Sequence, residues 1–158
     1  MTNLSRRGFI VGVGLLTAAP TIANAGFFTK DRGIFVRRGR ALGGTDPVAY
    51  FTDAKPVKGD KAHTTEWMDA TWTFASAENR QAFENDPAGF APQYGGYCAW
   101  AVSQNYTAST DPDAWRIVDG KLYLNYSKSV QRSWEGDIAG NIMKGDTNWP
   151  GLLADLLA

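Results

Sequence analysis

The chain has 158 residues, with 16 Lys plus Arg against 16 Asp plus Glu, a single Cys and a single His. That balance excludes the strongly basic surface of a general nucleic-acid binder, and one cysteine excludes both an internal disulfide framework and a zinc site built from several thiolates. No phosphate loop, G-x-S-x-G elbow or H-E-x-x-H helix occurs, so no catalytic constellation is offered and a non-enzymatic role is expected.

Residues 1–25 read as an export signal. Ser5-Arg6-Arg7-Gly8-Phe9 resembles the twin-arginine consensus, Gly8 to Ala19 is apolar, and Ala23-Asn24-Ala25 has the small residues of a cleavage site. The apolar stretch is shorter than the about 20 residues that a membrane span needs. Cleavage after Ala25 is therefore expected, with the twin-arginine export machinery as a first partner, a periplasmic destination and no stable membrane insertion; an uncleaved anchor is the alternative. In the mature N-terminal segment, 26–40, Arg37, Arg38 and Arg40 cluster. The cluster reads as a solvated segment, with contact to an anionic lipid or polyanion as the alternative.

Ile34 to Val36 suits a short strand, Gly43-Gly44-Thr45-Asp46-Pro47 is turn chemistry, and Val48 to Phe51 is an apolar group beside it. Asp53 to Asp60 reads as an exposed loop, and His63 opens the first strand of a hairpin. Trp67, then a turn at Met68-Asp69-Ala70, then Trp72 and Phe74 give the period-two pattern of a hairpin with one buried face. Ser76 stands as the N-cap of a helix from Ala77, which Asp86-Pro87 ends. Gly95-Gly96 then lets backbone come close to a neighbour ahead of the apolar run Tyr97 to Val102.

Gln104 to Asp113 is polar and reads as a loop. Ala114 to Tyr126 is a second hairpin around Asp119-Gly120, a dipeptide that accepts the positive φ angles of a tight turn. Ser127 or Ser129 caps a following helix with Val130, Trp134, Ile138 and Ile142 on one side. Gly136 and Gly140 favour splitting it in two, with Asp137 capping the second part. Asn148-Trp149-Pro150 is expected to break the pattern, leaving a short C-terminal helix over 150–158. The fold class is α+β: a small antiparallel sheet of two hairpins, one face covered by short helices, with a C-terminal helical extension. The six tryptophans are spread over these elements and read as one shared core.

The series Asp46-Pro47-Val48, Trp72-x-Phe74-x-Ser76, Phe83, Pro87 and Phe90, followed by Tyr94-Gly95-Gly96-Tyr97-Cys98-Ala99, resembles the YHS domain family, in particular its small exported members. The resemblance covers roughly residues 41–149. It implies a YHS-like core and, since many such domains are regarded as metal-binding modules, a transition metal as ligand. Where metal-binding members place cysteines, this chain has Ala49, Ala75 and Asn79, so three thiolates that would select a soft or borderline ion are missing.

Cys98 and His63 are the candidate metal ligands, with Met68, Met143, Asp46 and Glu66 as further donors and copper or zinc as the ion. Cys98 also reads as a packed apolar residue or as a reactive thiol. Tyr94, Gly95, Gly96, Tyr97 and Trp100 mark a candidate pocket in which glycines admit a ligand close to backbone. Three functions stay open: an exported YHS-like module binding a transition metal, a metal-free periplasmic interaction or scaffold domain with a buried structural cysteine, and a thiol-dependent redox protein. A periplasmic protein partner is expected without being identified.

Overall fold

The structure, a computed structural model, describes residues 33–158. The export expectation at Arg6, Arg7, Ala23 and Ala25, and the first part of the mature N-terminal segment, lie outside the described residues. What is described is α+β, with antiparallel hairpins packed against helices.

The hairpins form where the local chemistry allows tight reversal. Strands β1 (Val36–Arg37) and β2 (Arg40–Ala41) join through Arg38-Gly39, with φ angles of 53° and 73°. Strands β3 (Asp60–Trp67) and β4 (Ala70–Phe74) join through Met68-Asp69, and β5 (Asp111–Val118) and β6 (Lys121–Asn125) through Asp119-Gly120; both turns have positive φ at each central residue. Such turns carry the right-handed twist of the strands they join. Ala70, expected in a turn, is paired with Trp67, and Asp111 to Asp113, expected in a loop, already belong to β5.

The hairpins stay separate as three two-stranded ribbons and do not merge into one sheet. Strand β6 is covered on both faces, its residues from Leu122 to Asn125 all being buried. Leu122 and Leu124 face a cluster containing Val48, Tyr50, Trp72, Phe74 and Phe83. Tyr123 faces a second cluster with Tyr94, Tyr97, Val102 and Trp134. Alternation along a strand thus feeds two cores, where one covered face and one shared tryptophan core were expected. Trp67, Trp72 and Trp115 belong to the first cluster, and Trp100, Trp134 and Trp149 to the second.

Helix α1 (Ala49–Thr52) follows the Asp-Pro-Val turn. Helix α2 (Ala77–Asn85) is capped by Ser76, whose hydroxyl accepts from Asn79 N at 3.1 Å, and α3 (Pro87–Phe90) by Asp86. Helix α4 (Ala99–Ser103) begins at Cys98. Ser127 caps α5 (Lys128–Glu135) and Asp137 caps α6 (Ile138–Leu157).

Helix α6 runs through Pro150, so the expected break and the separate 150–158 helix are corrected to one continuous element. An internal proline forfeits a backbone hydrogen bond at a cost of about 3 kcal/mol. Against that, Ile138, Ile142, Trp149, Leu152 and Leu156 all pack, partly buried, on the second cluster; full burial of one such side chain stabilises by about 1.5–3 kcal/mol, and the five partial burials together outweigh the proline. With buried Gly145 they recur at alternating steps of four and three residues, a continuous apolar seam. Asn148 reinforces it by donating from Nδ2 to the carbonyls of Val102 and Ser103 at 3.0 and 3.3 Å, at the end of α4.

Candidate functional site

Asp46 is fully buried, and each carboxylate oxygen accepts twice. Oδ1 takes Val48 N at 2.8 Å and Ala49 N at 3.3 Å. Oδ2 takes Ala75 N and Asn79 Nδ2, both at 2.8 Å. A carboxylate has about four lone-pair sites, so its acceptor capacity is filled. Residues 49, 75 and 79, read in the sequence as lacking thiolates, all reach this one group. They meet around it as hydrogen-bond donors, and this donor set does not fit a soft metal ion.

Cys98 is 1% exposed. Its sulfur accepts from Tyr126 N at 3.3 Å and its thiol donates to Asn125 Oδ1 at 3.7 Å. The same Asn125 oxygen accepts from Trp100 N at 3.1 Å, which fixes the amide's orientation. Burial pushes the thiol's pKa up, outweighing the backbone amides of Ala101, Tyr126 and Trp100 that favour the thiolate. Burial thus favours the protonated thiol at neutral pH over the thiolate that a nucleophile or a metal ligand needs.

His63 is half-buried in β3, beside the irregularity in pairing between Asp60 and Thr64. That strand packs on β4 and α2, whereas α4, which Cys98 opens, packs on α5, α6 and β6. Met68 is exposed on a hairpin turn and Met143 on α6, and Glu66 is exposed in β3. Among the described residues no group of three or more His, Cys, Asp or Glu side chains is placed to hold a metal ion.

The candidate pocket divides. Tyr94 and Gly95 line a groove of about 490 Å³ that Trp67 and Met68 of the β3–β4 hairpin, Trp149 and Leu153 of α6, and Lys121 also line. Gly96, Tyr97 and Trp100 do not line it. The glycines serve the chain itself: a Cβ on Gly95 would strike the carbonyl of Gly33, and one on Gly96 would strike Leu42. Tyr97 instead packs edge-on against Phe35 and tilted against Trp149, and Trp100 flanks the second cluster.

Tyr94 is held in the left-handed region at φ 56°, unusual for a bulky residue. Its hydroxyl donates to Asp146 Oδ1 at 2.9 Å and also meets the Ile142 carbonyl at 3.3 Å. Gly145 makes the room, since a Cβ there would press on the phenol. Burial and the Asp146 carboxylate raise the phenol's pKa far above its ordinary value. Asp146 is thereby engaged, and Lys121 is the basic side chain lining the groove. Sequence reasoning found Tyr94 but missed Lys121, Asp146, Trp149 and Leu153, which lie far along the chain and carry no motif.

Among the described residues no helix is long and apolar enough to cross a membrane. Comparison with protein-family models, curated proteins and solved structures finds no match.

Proposed function

We propose that the chain is an exported, YHS-like interaction module that works without a metal, presenting its groove at Tyr94 to a protein partner. The observation that carries this reading is the saturated carboxylate of Asp46: residues 49 and 75 donate to it through backbone amides and carry no thiol of their own, and Asn79 donates its side-chain amide. Cys98, the one thiol, is buried and favoured in its protonated form, which supports neither the metal-binding nor the thiol-redox reading. The groove's large, half-exposed aromatic and aliphatic walls suit an apolar anchor side chain. Lys121 selects an acidic group beside that anchor.

The test is a titration of the reduced, purified protein with Cu(I), Cu(II) and Zn(II), followed by metal analysis after desalting. Retention of less than a tenth of an equivalent, as an order-of-magnitude threshold, is expected. Stoichiometric retention that disappears in Cys98→Ser or His63→Ala would restore the metal reading.

A further inference from the structure

On the far side of the Asp46 turn lies a smaller pocket of about 150 Å³, more enclosed than the groove. It is lined by the exposed Arg37 and Arg38, by Phe35, Leu42 and Pro112, and by Thr45 and Thr110, the latter's hydroxyl donating to the Gly96 carbonyl at 3.0 Å. Thr45 is 8% exposed, and its hydroxyl makes no hydrogen bond with any described residue. Arg37 lays its stem along Gly43, and Arg40 lies over Gly44, so three guanidinium-bearing side chains gather on one turn. Among the described residues the ion pairs are Arg80 with Glu84 and Arg116 with Glu135, so these three arginines have no acidic partner among the described residues.

The acidic groups nearest in sequence to the wall are Asp111 and Asp113, on either side of Pro112. Asp111 Oδ1 is turned onto its own chain, accepting from Asp113 N at 2.9 Å. Arg38 occupies the first central position of its turn at φ 53°, where Asn, Asp or Gly would sit with less strain.

We propose that this pocket binds a small organic anion, its carboxylate or phosphate oxygens held between Arg37 and Arg38 and its short apolar body against Phe35, Leu42 and Pro112. Two guanidinium forks match the planar or tetrahedral oxyanion, and the Thr45 hydroxyl supplies a third donor. The volume equals the liquid share of about five water molecules, enough for a compact anion and too little for a nucleotide. The site is separate from the Tyr94 groove and does not depend on the module's partner.

The experiment is calorimetric titration at constant ionic strength of the full chain with inorganic phosphate, acetate and succinate. A parallel arm measures sedimentation with phosphatidylcholine vesicles, with and without phosphatidylglycerol. Saturable binding of at least one free anion is expected, weakened about tenfold by each of Arg37→Gln and Arg38→Gln. Thr45→Val is expected to weaken it several-fold, roughly the loss of one neutral hydrogen bond. Arg132→Gln, an exposed change on α5, should leave it untouched. Binding confined to phosphatidylglycerol vesicles and lost in Arg37→Gln would make a lipid headgroup the source of the same oxyanion. No saturable binding in either arm, or binding unchanged in the Arg37→Gln/Arg38→Gln double variant with circular dichroism intact, overturns the proposal.

Discussion

Asn79 Nδ2 donates to Asp46 Oδ2 at 2.8 Å across 33 positions of sequence, and so ties the start of α2 to the turn that precedes α1. With Ala75 N on the same oxygen and Val48 N on the other, Asp46 acts as a clasp between two parts of the first core. Replacing it strands buried donors. Asp46→Ala is expected to cost about 3 kcal/mol or more, the scale for leaving partners of a buried charge unpaired, with Asp46→Asn costing less because one oxygen survives. Urea denaturation of the three proteins measures this, and equal midpoints would mean that the clasp contributes nothing.

The convergence of positions 49, 75 and 79 can be used constructively. The triple variant Ala49→Cys, Ala75→Cys, Asn79→Cys brings three thiols to the neighbourhood of Asp46, the donor type that suits zinc or Cu(I). The reduced triple variant is expected to retain close to one equivalent of Zn(II) after desalting, where the parent retains essentially none. Equal retention by both would show that these positions do not share a site.

How much of this was legible beforehand depended on range. The turn at Asp119-Gly120 and the caps Ser76 and Asp137 follow from neighbours within a few residues and stand where local chemistry puts them; of the pair Ser127 and Ser129 the first is the cap, and of Met68-Asp69-Ala70 the first two make the turn. The donors that fill Asp46 Oδ2 come from residues 75 and 79, and no local pattern announces them. Alternation along β6 was readable, but not that both of its faces would be covered. At the groove, the tyrosine-glycine run pointed to Tyr94; the glycines themselves meet Gly33 and Leu42, a contact set by distant chain.

Pro150 carries the large local penalty of a helix breaker, and the seam from Ile138 to Leu156 outweighs it. The penalty remains to be recovered. Pro150→Ala restores an N–H able to donate to the Asp146 carbonyl and is expected to raise stability by about 1–3 kcal/mol. A thermal melt that shows lower stability would place the value of Pro150 in its lining of the groove instead.

Cys98, Tyr50, Tyr94 and Tyr123 all have pKa values raised chiefly by burial. Each stays protonated in the folded chain at a pH where the unfolded chain has lost its proton. The unfolded state then binds fewer protons, so stability falls as pH rises. The contribution is whole below the thiol's ordinary value of 9.0 and declines above it, with the phenols joining from 10.0. Each group adds a slope of up to about 1.4 kcal/mol per pH unit. Urea midpoints at about pH 7, 9 and 10.5 should trace this decline, and Cys98→Ala should flatten its first part. A midpoint independent of pH across that range would contradict the burial of all four.

The groove's preference is testable by charge reversal. Acetyl-Glu-Phe-Leu-amide is expected to perturb the indole resonances of Trp67 and Trp149 at several-fold lower concentration than acetyl-Lys-Phe-Leu-amide, on the order of 1 kcal/mol for one partly exposed charge pair. Lys121→Glu should invert the order. Identical titrations in the parent and the variant would remove Lys121 from the recognition.

The central claim is that the Cys98 thiol and the Asp46 carboxylate are each occupied by the chain's own hydrogen bonds. Metal retention by the unmodified, reduced protein tests it most directly, with Cys98 labelling followed in parallel in native buffer and in urea. The account predicts no stoichiometric copper or zinc and a Cys98 that reacts only on unfolding. One retained equivalent, lost together with rapid native labelling when Cys98 is replaced by Ser, would contradict it.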